Sequence, residues 1–321
     1  MSDGALYKTA NGGTNWTRIG DPSKDKDSYD STTTYLDEPQ HIRIDPSNPK
    51  HLYASDGVRG STLGFWVSLD GGLNWSKSKN WTDTAAAVGF IDDLYDIAVD
   101  PADFNHVLVS SHSPWTWGAG TKYGIPNGGN AGVLESKDGG QTWIVHDPQP
   151  TWGAGHAINF LYDPAKRIGS PSTWLLGTQS DGQWRTENSG ATWTKVSNSS
   201  IFHGGGETYY SSTGVLYSAA APRILRSTDN GKTWTEVGPS AGYTAVWGDG
   251  KTLYTAAAYG FNAQPVLTSP ETDGVNWTPY GSGQQTWVDG GPYEMTFDAV
   301  NGILYSSNWF QGLWALKVSA P

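Results

Sequence analysis

The sequence contains no cysteine, so disulfides, thiolate metal ligands and a cysteine nucleophile are excluded, and the fold must hold by packing and hydrogen bonding. Charge is also scarce: charged residues make up 16% of the 321 positions, and 31 acids against 20 bases leave a net −11. No basic run occurs, which argues against a nucleic-acid backbone or an anionic membrane surface as partner. No apolar stretch approaches the ~20 residues of a membrane helix, so membrane insertion is not expected. The zincin, Walker, Rossmann and EF-hand patterns are all missing, and no cofactor is expected. Only the acid-rich stretch 21–30, with Asp25, Asp27 and Asp30, suits calcium, and a solvated loop is the favoured reading of it. What the chain has in quantity is 41 Gly, 17 Trp and 16 Tyr, a balance for tight turns and aromatic-faced strands rather than helices.

One octad recurs six times. It reads SLDGGLNW at 68–75, SKDGGQTW at 136–143 and STDNGKTW at 227–234. Asn replaces the acid in TANGGTNW at 9–16 and TENSGATW at 186–193, and the copy ending at Trp277 is degenerate, with Thr272 at the acid position. Asp or Asn at a turn accepts amides two or three residues on, Gly supplies positive φ, and Trp packs back on the sheet. The octad is therefore structural punctuation rather than chemistry.

Strand-like segments precede each octad. In the first full unit they are 41–44, 51–54 and 64–67; the order recurs at 95–99, 106–110 and 132–135, then at 157–161, 173–177 and 182–185. It continues at 208–211, 215–219 and 224–227, at 244–247, 252–256 and 266–269, and at 294–297, 303–306 and 312–317. Four short antiparallel strands at this period are the signature of propeller blades. The expected fold is an all-β, single β-propeller over 1–321, with six four-stranded antiparallel blades carrying the octads as turns. N-terminal strands within 4–20 are expected to close the ring with the C-terminal blade 292–319. Seven blades is the alternative, because 312–317 and 4–8 both read as third strands.

The octad resembles the Asp-box, or BNR repeat, of sialidases, sortilin-type receptors, photosystem assembly factors and xyloglucan-cleaving glycoside hydrolases. The likeness to the last group is the closest in kind, carried by stretches such as Asp96-Ile-Ala-Val-Asp100-Pro101 and the run from Gly177 to Trp193. That resemblance implies a propeller that works on glycans. Family xyloglucanases set two propellers around a cleft, whereas this length accommodates one. A sialidase would need an arginine triad, and Arg185 and Arg226 stand just before boxes instead.

Within a blade, first-to-second and third-to-fourth turns share one end, so the boxes occupy one face and the long connections the other. Long loops on a rigid scaffold are where binding concentrates. Glycoside hydrolysis needs two carboxylates, and Asp93, Glu207, Glu294 and Asp181 are the candidates. For a lyase, β-elimination from a uronic acid would draw on His156 or His203 with Tyr243 or Tyr293 as base. Candidate substrate contacts are His41, Arg43, Arg59, His112, Trp115, Trp117, Trp152, Arg223, Tyr259, Trp287 and Trp309. By contrast, His51 and His106 begin second strands and are expected to be structural, with Trp66, Trp174 and Trp184 in the core.

The expected function is cleavage of a polysaccharide or oligosaccharide at the long-loop face; a polysaccharide lyase and a non-catalytic glycan- or protein-binding propeller are the alternatives. A monomer, secreted or periplasmic with its leader removed, completes the expectation, since Met1-Ser-Asp-Gly4 has no signal-peptide character.

Overall fold

The computed structural model describes residues 6–19, 39–56, 64–78, 80–81, 94–111, 132–146, 152, 156–163, 168–179, 181–258, 264–281, 286–287, 291–308 and 312–318. Two compact units emerge, residues 2–160 with 186–193 and residues 161–185 with 194–321. Among the described residues only Asn80 and Trp81 are helical.

The first unit opens with a hairpin, β1 (Leu6–Lys8) and β2 (Thr17–Ile19), which forms a sheet of its own. Two four-stranded antiparallel sheets follow. One comprises β3 (Pro39–Ile44), β4 (Leu52–Asp56), β5 (Gly64–Ser68) and β6 (Ser76–Lys77); the other β7 (Leu94–Asp100), β8 (Asp103–Ser111), β9 (Val133–Ser136) and β10 (Ile144–His146). Each is a simple meander, because every strand pairs with its sequence neighbour. Tyr53, Phe65, Trp81, Leu94, Ile97, Val107, Val109 and Leu134 form one buried cluster from both sheets. Strands covered on both faces explain why burial in β9 does not alternate: Val133, Leu134, Glu135 and Ser136 are all buried. Burying groups of this size is the main stabilising term available to a chain without cross-links.

A further sheet has residues in both units: β11 (His156–Asp163), β12 (Ile168–Thr178), β13 (Gly182–Thr186) and β14 (Thr194–Ser197).

In the second unit, β15 (Thr208–Tyr210), β16 (Leu216–Ser218), β17 (Ile224–Ser227) and β18 (Thr235–Val237) form the next four-stranded sheet. Then come β19 (Val246–Gly248), β20 (Thr252–Thr255), β21 (Gln264–Pro265), β22 (Leu267–Pro270), β23 (Thr278–Pro279) and β24 (Thr286–Trp287). They sort into a four-stranded sheet, β19-β20-β22-β23, and a separate pair, β21-β24. Last is β25 (Pro292–Asp298), β26 (Ile303–Asn308) and β27 (Gly312–Lys317), three strands among the described residues. Tyr217, Ile224, Tyr243, Val246 and Leu253 belong to one buried cluster, and Ala245, Tyr254, Met295, Leu304 and Val318 to the next.

The fold class is the all-β propeller with four-stranded antiparallel blades and Asp-box turns: six blade sheets succeed one another. The pair β21-β24 was not foreseen, because its residues lie in what reads as a connection. β12 begins at Ile168, five positions ahead of the expected segment at 173. The two segments that both read as third strands stay in different sheets, β1 with β2 and β27 with β26.

The boxes fold as their chemistry dictates. In 68–75, Ser68 Oγ donates to Asp70 Oδ1 at 3.0 Å, Gly72 N–H returns to Ser68 Oγ at 2.9 Å, and Asn74 N–H reaches Asp70 Oδ1 at 2.9 Å. Two consecutive residues need the left-handed region, Gly71 and Gly72 here; elsewhere Ser189 and Asn230 take the first of these places. At Gly140 a Cβ would also lie 2.5 Å from the Phe65 ring, so that glycine is required twice over. The boxes of the sheets β3–β6 and β7–β10 lie beside the turns joining first to second strands, as Gly71 N–H to Lys50 O and Gly139 N–H to Asn105 O show, both at 2.9 Å. The starts of the first strands therefore lie at the opposite end of each sheet.

Candidate functional site

In the first unit the first strands β3 and β7 carry a polar node. Arg43, on β3, donates through its guanidinium to Asp96 Oδ1 at 3.2 Å and to the Ile97 carbonyl at 2.8 Å. Asp96, on β7, also accepts Ile97 N–H at 2.7 Å and, through its other oxygen, Ile158 N–H at 3.1 Å. His41 Nδ1 stands 3.6 Å from Asp96 Oδ1. One buried carboxylate thus links the first strands of three successive sheets and holds a guanidinium and an imidazole next to each other. Asp96 was not among the expected site residues. Its one sequence signal is an acid set between Leu94-Tyr95 and Ile97 where an inner strand should be apolar.

In the second unit three first strands lie side by side, β15, β19 and β25. Glu207, one residue before β15, accepts Met295 N–H of β25 at 3.2 Å through Oε1. Thr244, just before β19, donates its hydroxyl to the Pro292 carbonyl at the start of β25. Glu294 is two residues into β25, its N–H on Ser307 Oγ at 3.2 Å, and Tyr293 beside it is half-buried. The backbone before Glu207 approaches very closely: a Cβ on Gly205 would lie 2.7 Å from Thr244 Cα, so only glycine fits. Glu207, Thr244, Tyr293 and Glu294 are therefore brought to one end of three successive first strands, which places two acidic residues in the same region. His203 lies close to the same segment, with Nδ1 2.9 Å from Gln179 Nε2.

Other expected residues are placed differently. Trp152 is only 2% exposed and packs edge-on against Trp193 at 5.1 Å, so it presents no face for a sugar to stack on. Tyr243 is buried and donates its hydroxyl to the Pro239 carbonyl at 2.9 Å. Burial pushes that hydroxyl up to about 12 against the pull of Arg223, so it is not a base for β-elimination near neutral pH. Asp181 is taken by Lys195 Nζ at 2.9 Å and Trp184 Nε1 at 3.1 Å, an ion pair across β13 and β14 rather than a poised acid. Arg223 donates to the Gly238 carbonyl and, with Glu236, Pro239 and Trp277, lines an open cavity of about 620 Å³. Asp93, Arg59, His112, Trp115, Trp117, Tyr259 and Trp309 lie outside the described residues, as does the acid-rich stretch 21–30. For His156 and Trp287 only the backbone, in β11 and β24, is described. Among the described residues no His, Asp and Glu are grouped in a metal-holding arrangement.

The expectations for structural residues fit their surroundings. His51 packs edge-on between Tyr53 and Phe104, and His106 is buried between two carboxylates. Trp66 and Trp174 are fully buried, while Trp184 is half-buried.

Octad turns on meandering four-stranded sheets define an Asp-box β-propeller, and the chain is one, resembling the propellers of xyloglucanases. A family model described as BNR/Asp-box repeat matches residues 225–236. Over 265 residues the chain is 27% identical to a xyloglucanase of Hypocrea jecorina (strain QM6a), a span covering 75% of this chain and 30% of that protein. Among solved structures, the GH74 xyloglucanase from Xanthomonas campestris matches with a TM-score of 0.60 at 19% identity, covering 88% of this chain and 44% of that one. YCF48 bound to D1 peptide matches with a TM-score of 0.54 at 14% identity, covering 89% and 78%. The chain thus spans about a third of the curated relative it matches and less than half of the xyloglucanase structure.

Proposed function

We propose that this protein is a carbohydrate-active, glycoside-hydrolase-like propeller that cleaves a polysaccharide at the ends of β15, β19 and β25 opposite the boxes. The observation that carries the reading is the bond from Met295 N–H to Glu207 Oε1, which brings Glu207 to the strand segment that holds Glu294, since glycosidic cleavage requires two carboxyl groups in different roles. The likeness to a xyloglucanase over 75% of the chain supports a neutral β-glucan as the class of substrate.

Roles follow from the hydrogen bonds. Glu207 accepts a backbone amide, which suits a carboxylate acting as base toward water or as nucleophile toward the anomeric carbon. Glu294 is then the acid that protonates the departing glycosidic oxygen.

The test is release of reducing ends from a panel of β-glucans including xyloglucan. Glu207→Gln and Glu294→Gln are each expected to lower kcat by about 10²–10⁴-fold, the range for loss of a positioned acid or base, with Tm held to within a few degrees. Full activity in both variants would remove the assignment.

Binding without cleavage is the second reading, favoured by the fold likeness to YCF48 bound to D1 peptide. It predicts retention of glycan or peptide with no new reducing ends. The lyase alternative loses support from Tyr243, whose hydroxyl is already committed to the Pro239 carbonyl.

A further inference from the structure

Across the sheet β7–β10, outside the site described above, runs a buried ladder of ionisable side chains with one member per strand. Asp100 ends β7, His106 is in β8, Glu135 in β9 and His146 in β10. His106 Nδ1 lies 3.1 Å from Asp100 Oδ2, and His106 Nε2 lies 2.7 Å from Glu135 Oε1. His146 Nε2 lies 3.1 Å from the second oxygen of Glu135. Burial is deep, with 6% of His106 and 1% of Glu135 exposed. Among the described residues Lys137, just beyond β9, also faces the ladder with Nζ 3.4 Å from Glu135 Oε1, as does the uncharged ring of Phe160 from β11, edge-on to His106 at 4.8 Å.

This arrangement dictates a protonation state. An ionised carboxylate can only accept, so both ring nitrogens of His106 must carry hydrogen, which makes the ring an imidazolium. If it loses either proton, a nitrogen lone pair is left facing a carboxylate oxygen in a place that water does not reach, and an attraction becomes a repulsion.

We propose that the ladder is a pH-sensitive clasp on the sheet β7–β10, closed across all four strands in mildly acidic medium and loosened in alkaline medium when His106 gives up a proton. The shifts agree in sign with the geometry. Burial alone would lower His106, but its bonds to Glu135 and Asp100 outweigh that and raise it above 6.5. Burial alone would raise Glu135, but the bonds from His106 and His146 hold it down to about 2. The His106 contribution is thus fully present below 6.5 and lost as pH rises through the raised folded value. The Glu135 contribution is present above 4.5 and lost as pH falls toward about 2. Together they set a plateau of greatest stability between 4.5 and 6.5.

The experiment compares the melting temperature of the intact chain and of His106→Gln across that range and above it. The wild type is expected to lose about 2–4 °C more than His106→Gln between roughly pH 6 and pH 8.5. Equal slopes in the two proteins would overturn the proposal. A measurement that needs no variant is the NMR titration of the His106 ring in the native protein. A midpoint above 6.5 is expected, and a midpoint at or below 6.5 overturns the clasp even if His106→Gln fails to fold.

Discussion

Two copies of the same octad in the first unit fold alike and end differently. In 9–16, Thr9 Oγ1 donates to Asn11 Oδ1 at 3.0 Å, Gly13 N–H to Thr9 Oγ1 at 2.9 Å, Asn15 N–H to Asn11 Oδ1 at 2.9 Å, and Trp16 Nε1 to Gly13 O at 3.0 Å. In 68–75 the corresponding bonds repeat these values, with Trp75 Nε1 on Gly72 O at 3.0 Å. Yet Trp16 is 44% exposed and Trp75 only 2%. Trp75 packs in a cluster with Leu52, Ala54 and Trp66 of its own sheet, against which Leu6 of β1 also packs, whereas among the described residues the hairpin β1-β2 has two strands of its own. The octad therefore encodes its turn locally, and the sheet beneath decides what the tryptophan contributes to stability.

That difference can be broken by mutation. The largest effect is expected for Trp75→Ala, which empties a buried site and should cost ~3–5 kcal/mol in denaturant unfolding. Trp16→Ala should cost less than ~1 kcal/mol, and equal losses at the two sites would erase the distinction. Next comes Asp70→Ala, expected to remove ~1 kcal/mol because it leaves the Asn74 amide without its acceptor. Asn11→Ala should leave the global transition nearly unmoved and show only as faster hydrogen exchange at the Asn15 amide. The smallest effect is in acid. Hydrogen bonds from Asn74 outweigh the opposing effect of burial and, with a lesser one from Ser68, hold Asp70 below its usual 3.8, whereas Asn11 does not titrate. The Asp70 contribution is present above 3.8 and fades as pH falls through the lower folded value, so Asp70→Asn should flatten the acid limb by about 1 °C or less.

The same division between local and tertiary information governs how far the sequence could be read. Strands were legible because each blade repeats the same order of apolar runs, glycine turns and boxes; β5, β9 and β13 appear within a residue of their expected limits. Glu207 and Glu294 were legible as site candidates because they immediately precede or begin first strands. Partners were not legible. Trp152 stands in a glycine-rich connection and reads as an exposed platform, but the ring it meets is Trp193, forty-one positions on. Asp96 and Ile158 are farther apart still, sixty-two positions, and only the adjacency of β7 and β11 lets that carboxylate link them. The degenerate box shows the converse. With Thr272 at the acid position, Asp273 Oδ2 accepts Asn276 N–H at 3.0 Å and Trp277 Nε1 still reaches Gly274 O at 3.3 Å. Glu271 turns inward to take Tyr209 Oη at 2.6 Å and Ser212 Oγ at 2.7 Å, a tie between sheets that no local pattern announces.

The central claim is that chemistry occurs at the strand ends opposite the boxes, with Glu207 and Glu294 on either side of the bond that breaks. Its most direct test is a crystal structure of Glu294→Gln soaked with a xyloglucan oligosaccharide. The account predicts a glycosidic oxygen within hydrogen-bonding reach of residue 294, with Glu207 facing the adjoining anomeric carbon. A sugar bound instead beside the box turns, with nothing at the starts of β15, β19 and β25, would contradict it.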